Sequence, residues 1–414
     1  MNDSGRCVKQ QAILVVQALV VGGVLASSIP CLASEIDVNK SAEFFKKVKL
    51  SGSISQGLQS IEAEGGAFDP EDANMTVGFN RFRYSLGFSV DISDNIDAFV
   101  ELSEEPNDFG VDFTPHVDLA FVNIDFNDHL TLQMGTIVTV LFNYRGYSDG
   151  GVVQDNPLIG NSPADMVGAA EGLKLIGEYG RLHWDIGLSS SDFGESFGGD
   201  RGLTYIGRAS YDVTETFGIG FGIASSNHGD QVTKGSTDIV RAGFYQGDGD
   251  NYRFRSADNG PIRNTHAGLI PGLDTMAYHV DIQYKADPVL IRGWAGQVED
   301  DFSFGNAQGE QTVASQNVDF ILRESEMRFF GLEGTYYIVP KKFYLALRYV
   351  TVTNESSSAG SDDELLRVQF GAGYRYRDNV LFKAELVNQK EGDGSPGQIG
   401  DDWSGFMMEA SYSF

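Results

Sequence analysis

From Val48 to the last residue, apolar and polar positions alternate with a period of two, as in strands that turn one face to an apolar phase and the other to water. Phe82, Tyr84, Leu86, Phe88 and Val90 are interleaved with Arg81, Arg83, Ser85 and Ser89, and Ile96, Ala98, Val100 and Leu102 with Asp97 and Glu101. Val48, Leu50, Ile54 and Leu58 form an earlier apolar face. At the other end, Phe406, Met408, Ala410, Tyr412 and Phe414 alternate with Met407, Glu409, Ser411 and Ser413. Between them the pattern predicts strands over 117–126, 130–135, 172–179, 182–190, 203–213, 217–224, 276–286, 289–297, 327–339, 343–351, 365–376 and 380–388. That makes about sixteen strands, an even number in the range of bacterial transmembrane barrels.

The connections alternate too. Asn127-Asp128-His129, Gly180-Arg181, Thr214-Glu215-Thr216, Asp287-Pro288, Pro340-Lys341-Lys342 and Arg377-Asp378-Asn379 are tight turns, and the connections between those hairpins are long, Gly-rich and mostly acidic. A secreted soluble β-protein that binds carbohydrate, the plainest alternative, has no reason to keep that parity. An all-β transmembrane antiparallel barrel with short periplasmic turns and long external loops does. No later segment holds eighteen consecutive apolar residues, which excludes helical spans.

The terminal strand, ending in Phe414 with Tyr412 third from the end, resembles the closing strand of Gram-negative outer-membrane β-barrels. With about sixteen strands, the chain resembles the trimeric general or substrate-selective porins, among them the phosphate-selective type. The resemblance implies a multi-pass protein of the outer membrane, in contact with its lipid and lipopolysaccharide, and a homotrimer. It also implies a third loop folded into the barrel, and Phe414 and Tyr412 as a signal for the barrel assembly machinery, on a strand closing against Val48 to Gln59. The Pro-Glu-Phe-Gly-Gly signature of enterobacterial porins is absent.

The N-terminus supports export. Arg6 and Lys9 precede an apolar run from Ala12 to Ala26, and small residues lead to a cut after Ala33, so residues 1–33 read as a signal peptide. Residues 34–47 are a polar periplasmic lead-in and 48–414 the barrel. Both cysteines, Cys7 and Cys31, lie in the segment to be removed, so no disulfide is expected to hold the exported chain. A closed barrel replaces it, because every backbone group is paired internally. The formal charge is −28, and residues 1–33 contribute Arg6, Lys9 and Asp3, a net +1, leaving −29. Such acidity disfavours nucleic acid as a partner.

The connection from Ile137 to Glu171 is the third external loop, about thirty-five residues long and rich in apolar side chains. Folded inward, it would bring Asp149, Asp155 and Asp165, with Glu171 at its base, to a constriction. Alternation points Arg81, Arg83, Arg208, Arg292, Arg348, Arg367, Arg375 and Lys383 into the lumen, with Asp97, Glu101, Asp185, Asp281, Glu333, Glu385 and Glu409. Facing rows of opposite charge would set a field across the pore.

The six histidines form no HExxH motif, and no metal, cofactor or catalytic residue is assigned. Gly247-Asp248-Gly249-Asp250-Asn251 lacks the full pattern of a calcium loop. The expected activity is passive diffusion of small hydrophilic solutes or ions, leaning to cations. An anion- or phosphate-selective channel and a barrel scaffold plugged by a partner are the alternatives.

Overall fold

The computed structural model describes residues 48–64, 78–104, 116–140, 154–160, 167–190, 203–227, 273–302, 310–314, 319–323, 325–356, 363–391 and 402–414. The first strands are β1 (Val48–Glu64), β2 (Gly78–Ser93), β3 (Ile96–Glu104), β4 (His116–Asn127), β5 (Leu130–Val140) and β6 (Val167–Tyr179). Next come β7 (Leu182–Ser190), β8 (Leu203–Asp212), β9 (Phe217–Asn227), β10 (Leu273–Ala286), β11 (Val289–Phe302), β12 (Glu310–Ala314) and β13 (Asp319–Arg323). The chain closes with β14 (Ser325–Val339), β15 (Phe343–Ser356), β16 (Asp363–Arg377), β17 (Val380–Glu391) and β18 (Asp402–Ser413). All but β12 and β13 form one closed antiparallel barrel of 16 strands, in which β11 pairs with β14 and β18 with β1.

Alternation sorts the wall. On β17, Leu386 is 56% exposed while its neighbour Glu385 is 1% exposed. Ile54, Phe221, Val280, Leu347 and Phe406 likewise face outward, whereas Ser53, Arg83, Asp281, Arg348 and Glu409 are buried on the inner face. An apolar exterior with charges inside is a bilayer-spanning arrangement, since a lipid-facing Arg at mid-depth would cost about 2–4 kcal/mol. Tyr179, Tyr211, Tyr284, Tyr336, Tyr374 and Tyr376 stand outward near the tight-turn ends and form an aromatic girdle there.

The sixteen expected strands are present, with three corrections to their limits. The terminal strand pairs with Ser53 to Glu64 rather than with Val48 to Gln59. Gly52 and Phe414 exchange backbone hydrogen bonds of 3.0 Å where that pairing ends. Barrel closure staggers the strands, so the first residues of β1 run past the end of β18. The third connection is shorter than Ile137 to Glu171, because Leu130–Val140 pairs throughout with Val167–Gly177. Ile137 is buried on the inner face, so the alternation that marks the other strands is blurred there. Finally, β12 and β13 form a two-stranded sheet of their own between β11 and β14, where a plain loop is expected. Residues 1–47 and the Gly247 to Asn251 stretch lie outside the described residues.

Candidate functional site

Strand register sets opposite charges side by side on the inner wall. Asp185 on β7 stands opposite Arg208 on β8, Arg292 on β11 opposite Glu333 on β14, and Glu333 opposite Arg348 on β15. Lys383 on β17 stands opposite Glu409 on β18. These become contacts: Arg292 Nη1 to Glu333 Oε1 is 3.0 Å, Arg348 Nη2 to Glu333 Oε2 2.6 Å and Lys383 Nζ to Glu409 Oε1 2.8 Å. Arg208 Nη1 reaches Asp281 Oδ2 at 3.2 Å although β9 lies between them, and His279 Nε2 lies 3.1 Å from the same oxygen. Gly220 on β9 permits that reach, because a Cβ there would collide with the Asp281 carboxylate. Buried ions are tolerable only when paired, and the register brings the partners side by side.

One stretch of the third connection, residues 154–160, is bonded to inward side chains of β15 to β17. Arg348 donates to the Gly160 carbonyl at 2.8 Å and to Asn156 Oδ1 at 2.9 Å. Glu385 Oε2 accepts the backbone N–H groups of Ile159 and Gly160. Lys383 donates to the Leu158 carbonyl at 3.1 Å, and Arg375 to Gln154 Oε1 at 3.1 Å. Leu158, 1% exposed, packs with Tyr344, Ala346 and Leu381. One charged wall thus holds both backbone polarities of the segment, with an apolar plug between them.

The inner wall of β1 to β5 differs. Ser53 and Ser85 lie 3.1 Å apart. Gln133 Nε2 donates to Asn123 Oδ1 at 3.1 Å, and Asn123 Nδ2 donates to Asp97 Oδ2 at 3.0 Å. Phe99 and Phe121 also face inward, with ring centroids 5.3 Å apart.

No protein-family description and no curated protein sequence matches the chain. Solved structures do. The anion-selective porin from Comamonas acidovorans is 12% identical with a TM-score of 0.56, over 89% of this chain and 99% of that one. The outer membrane channel DcaP of Acinetobacter baumannii is 13% identical with a TM-score of 0.56, over 89% and 97% of the two chains. Outer-membrane expressed OmpT of Vibrio cholerae is 14% identical with a TM-score of 0.54, over 89% and 97%. The fold is that of the outer-membrane porins.

Within this porin fold, several of the residues expected along the pore come together. Arg348 and Lys383 sit with Glu333, Glu385 and Glu409 around residues 154–160. Arg375 joins them through Gln154, and its Nη1 also donates to the Asp378 carbonyl at 2.7 Å. Arg367 is buried against Gln389, 2.7 Å away. Arg83 is buried on β2, and Glu101 lies partly exposed on β3. Asp155 is exposed between the wall-bound Gln154 and Asn156. The Arg81 side chain, Asp149 and Asp165 lie outside the described residues. Tyr412 and Phe414 face outward, their rings stacked at 5.9 Å.

The expected facing rows, with acids on the loop and cations on the wall, involve Asp149 and Asp165, which lie outside the described residues. Among the described residues Arg208, Arg292, Arg348 and Lys383 bind wall acids, and residues 154–160 offer backbone groups to both signs. Sequence reasoning also missed Asn156 and Gln369, which link charged groups, and Gln389, which accepts from Arg367. Strand register could have revealed Gln369 and Gln389, but not Asn156, which lies in the loop segment.

Proposed function

We propose that this barrel is a channel for passive diffusion of small hydrophilic solutes or ions across the Gram-negative outer membrane, with a preference for cations. The observation that carries the reading is the attachment of residues 154–160 to inward side chains of β15 to β17; in this reading the segment narrows the lumen from that flank. The inner faces of β3, β4 and β6 to β8 keep partly exposed polar groups such as Asp97, Lys174 and Asp185. A porin named for anion selectivity shares the fold. Here, however, Arg208, Arg292, Arg348 and Lys383 each have a carboxylate partner, so they offer little uncompensated positive charge. The sequence places acids such as Asp69, Glu71, Asp72, Glu105, Asp108 and Asp112 in the long connections, and a net charge of −29 without residues 1–33 draws cations to the mouth.

Residues 1–33 act in this reading as an export signal and 34–47 as a periplasmic lead-in, while Phe414 and Tyr412 serve recognition by the assembly machinery. Trimers are the proposed state, and one OmpT structure of the same fold is titled a trimer form. The test is the reversal potential of the purified protein in a planar bilayer under a KCl gradient. A potential of the sign set by K⁺ permeation is expected, and one set by chloride would overturn the cation preference.

A further inference from the structure

The inward row of β3 runs acid, ring, acid: Asp97, Phe99 and Glu101, all partly exposed. Phe99 stands opposite Phe121 on β4, and their rings are tilted by 36° at a centroid distance of 5.3 Å. Beneath Phe99 lies Gly87 of β2, where an added Cβ would stand 3.0 and 3.1 Å from the ring's Cε2 and Cζ. The ring therefore lies over bare backbone. Asp97 is aimed by a chain of amides, Gln133 to Asn123 to Asp97, with links of 3.1 and 3.0 Å. Asp91, opposite Asp97 in the β2–β3 register, is paired with Lys49 at 3.1 Å, so Asp97 is not left facing an unneutralised like charge.

A ring face attracts a cation through its quadrupole, most strongly where the cation is partly desolvated. A carboxylate on either side of the ring adds charge attraction and rejects anions. The acids Glu333, Glu385 and Glu409 elsewhere on the wall are buried, whereas Asp97 and Glu101 are partly exposed. We propose that Asp97, Phe99, Phe121 and Glu101 form a subsite for organic cations, of the alkylammonium or quaternary ammonium class, on the permeation path. This rests on the reading of the barrel as a channel.

The experiment titrates tetramethylammonium chloride against the K⁺ current of the native protein in planar bilayers, with glucose as the neutral control. Tetramethylammonium should block in a concentration-dependent way and glucose should not. Phe99→Leu keeps an apolar side chain over Gly87 but removes the ring, and should weaken the block about three- to tenfold. Asp97→Asn should weaken it too, and Phe99→Tyr should preserve it. Heat-modifiable gel migration confirms that each variant is folded. Native-strength block in folded Phe99→Leu, or equal block by glucose, would overturn the proposal. A native protein that conducts K⁺ but is not blocked refutes the subsite alone, whereas a folded barrel that conducts nothing refutes the channel reading beneath it.

Discussion

The two flanks of the lumen follow one alternation rule and use it differently. On β14 to β17, charges are buried, tied to one another and tied to residues 154–160: Arg348 is 0% exposed and Glu385 1%. On β3 and β4, the inward Asp97, Phe99, Glu101, Phe121 and Asn123 are all partly exposed. A charge facing inward therefore does not mean a charge facing solute. On the first flank ionisable groups act as structure, because each is within hydrogen-bonding distance of its complement. On the second, polarity is carried by amides, the carboxylates of Asp97 and Glu101 and aromatic rings, all partly exposed to the lumen.

This contrast can be broken most severely at Arg348. Arg348→Leu would leave Glu333 with Arg292 alone among the described residues and strip residues 154–160 of two hydrogen bonds. Removing one member of a buried ion pair costs about 3–5 kcal/mol. Urea unfolding of the barrel in lipid vesicles should show a loss of that size, and open-channel current noise should rise. A variant as stable as the native protein would mean that the charges on this flank are not structural.

Glu385→Gln is a gentler probe. It retains one acceptor for the Ile159 and Gly160 amides but loses the charge, a change of about 1–3 kcal/mol by the same measurement. Greater channel noise without a lower unfolding midpoint would separate loop attachment from wall stability.

On the opposite flank, Asp97→Asn keeps the shape and the link to Asn123. Its effect on unfolding should stay within about 0.5 kcal/mol, as for substitutions away from tightly coupled sites. A loss comparable to that of Arg348→Leu would erase the distinction between the flanks.

Much of the barrel was legible because lipid demands one apolar face on every strand. Leu386 beside Glu385 and Met408 beside Glu409 state their directions without any knowledge of their partners. The inward positions of Arg348, Lys383 and Glu409 followed from the same count. Pairing did not, because a charge partner is chosen by register between strands; Arg208 finds Asp281 across Gly220 on an intervening strand. The attachment of residues 154–160 was hidden for a different reason. It uses the amides of Ile159 and Gly160 and the carbonyls of Leu158 and Gly160, groups every residue carries. Phe99 was passed over because an aromatic on the watery face looks like an interruption of the alternation rather than a feature of it.

The central claim, that the lumen is narrowed from one flank but not closed, is tested most directly by single-channel recording of the purified, folded native protein in symmetrical KCl. Discrete, ohmic conductance steps are the expected result. A barrel that inserts and stays folded yet passes no current would contradict it and favour a scaffold filled by a partner or by its own chain.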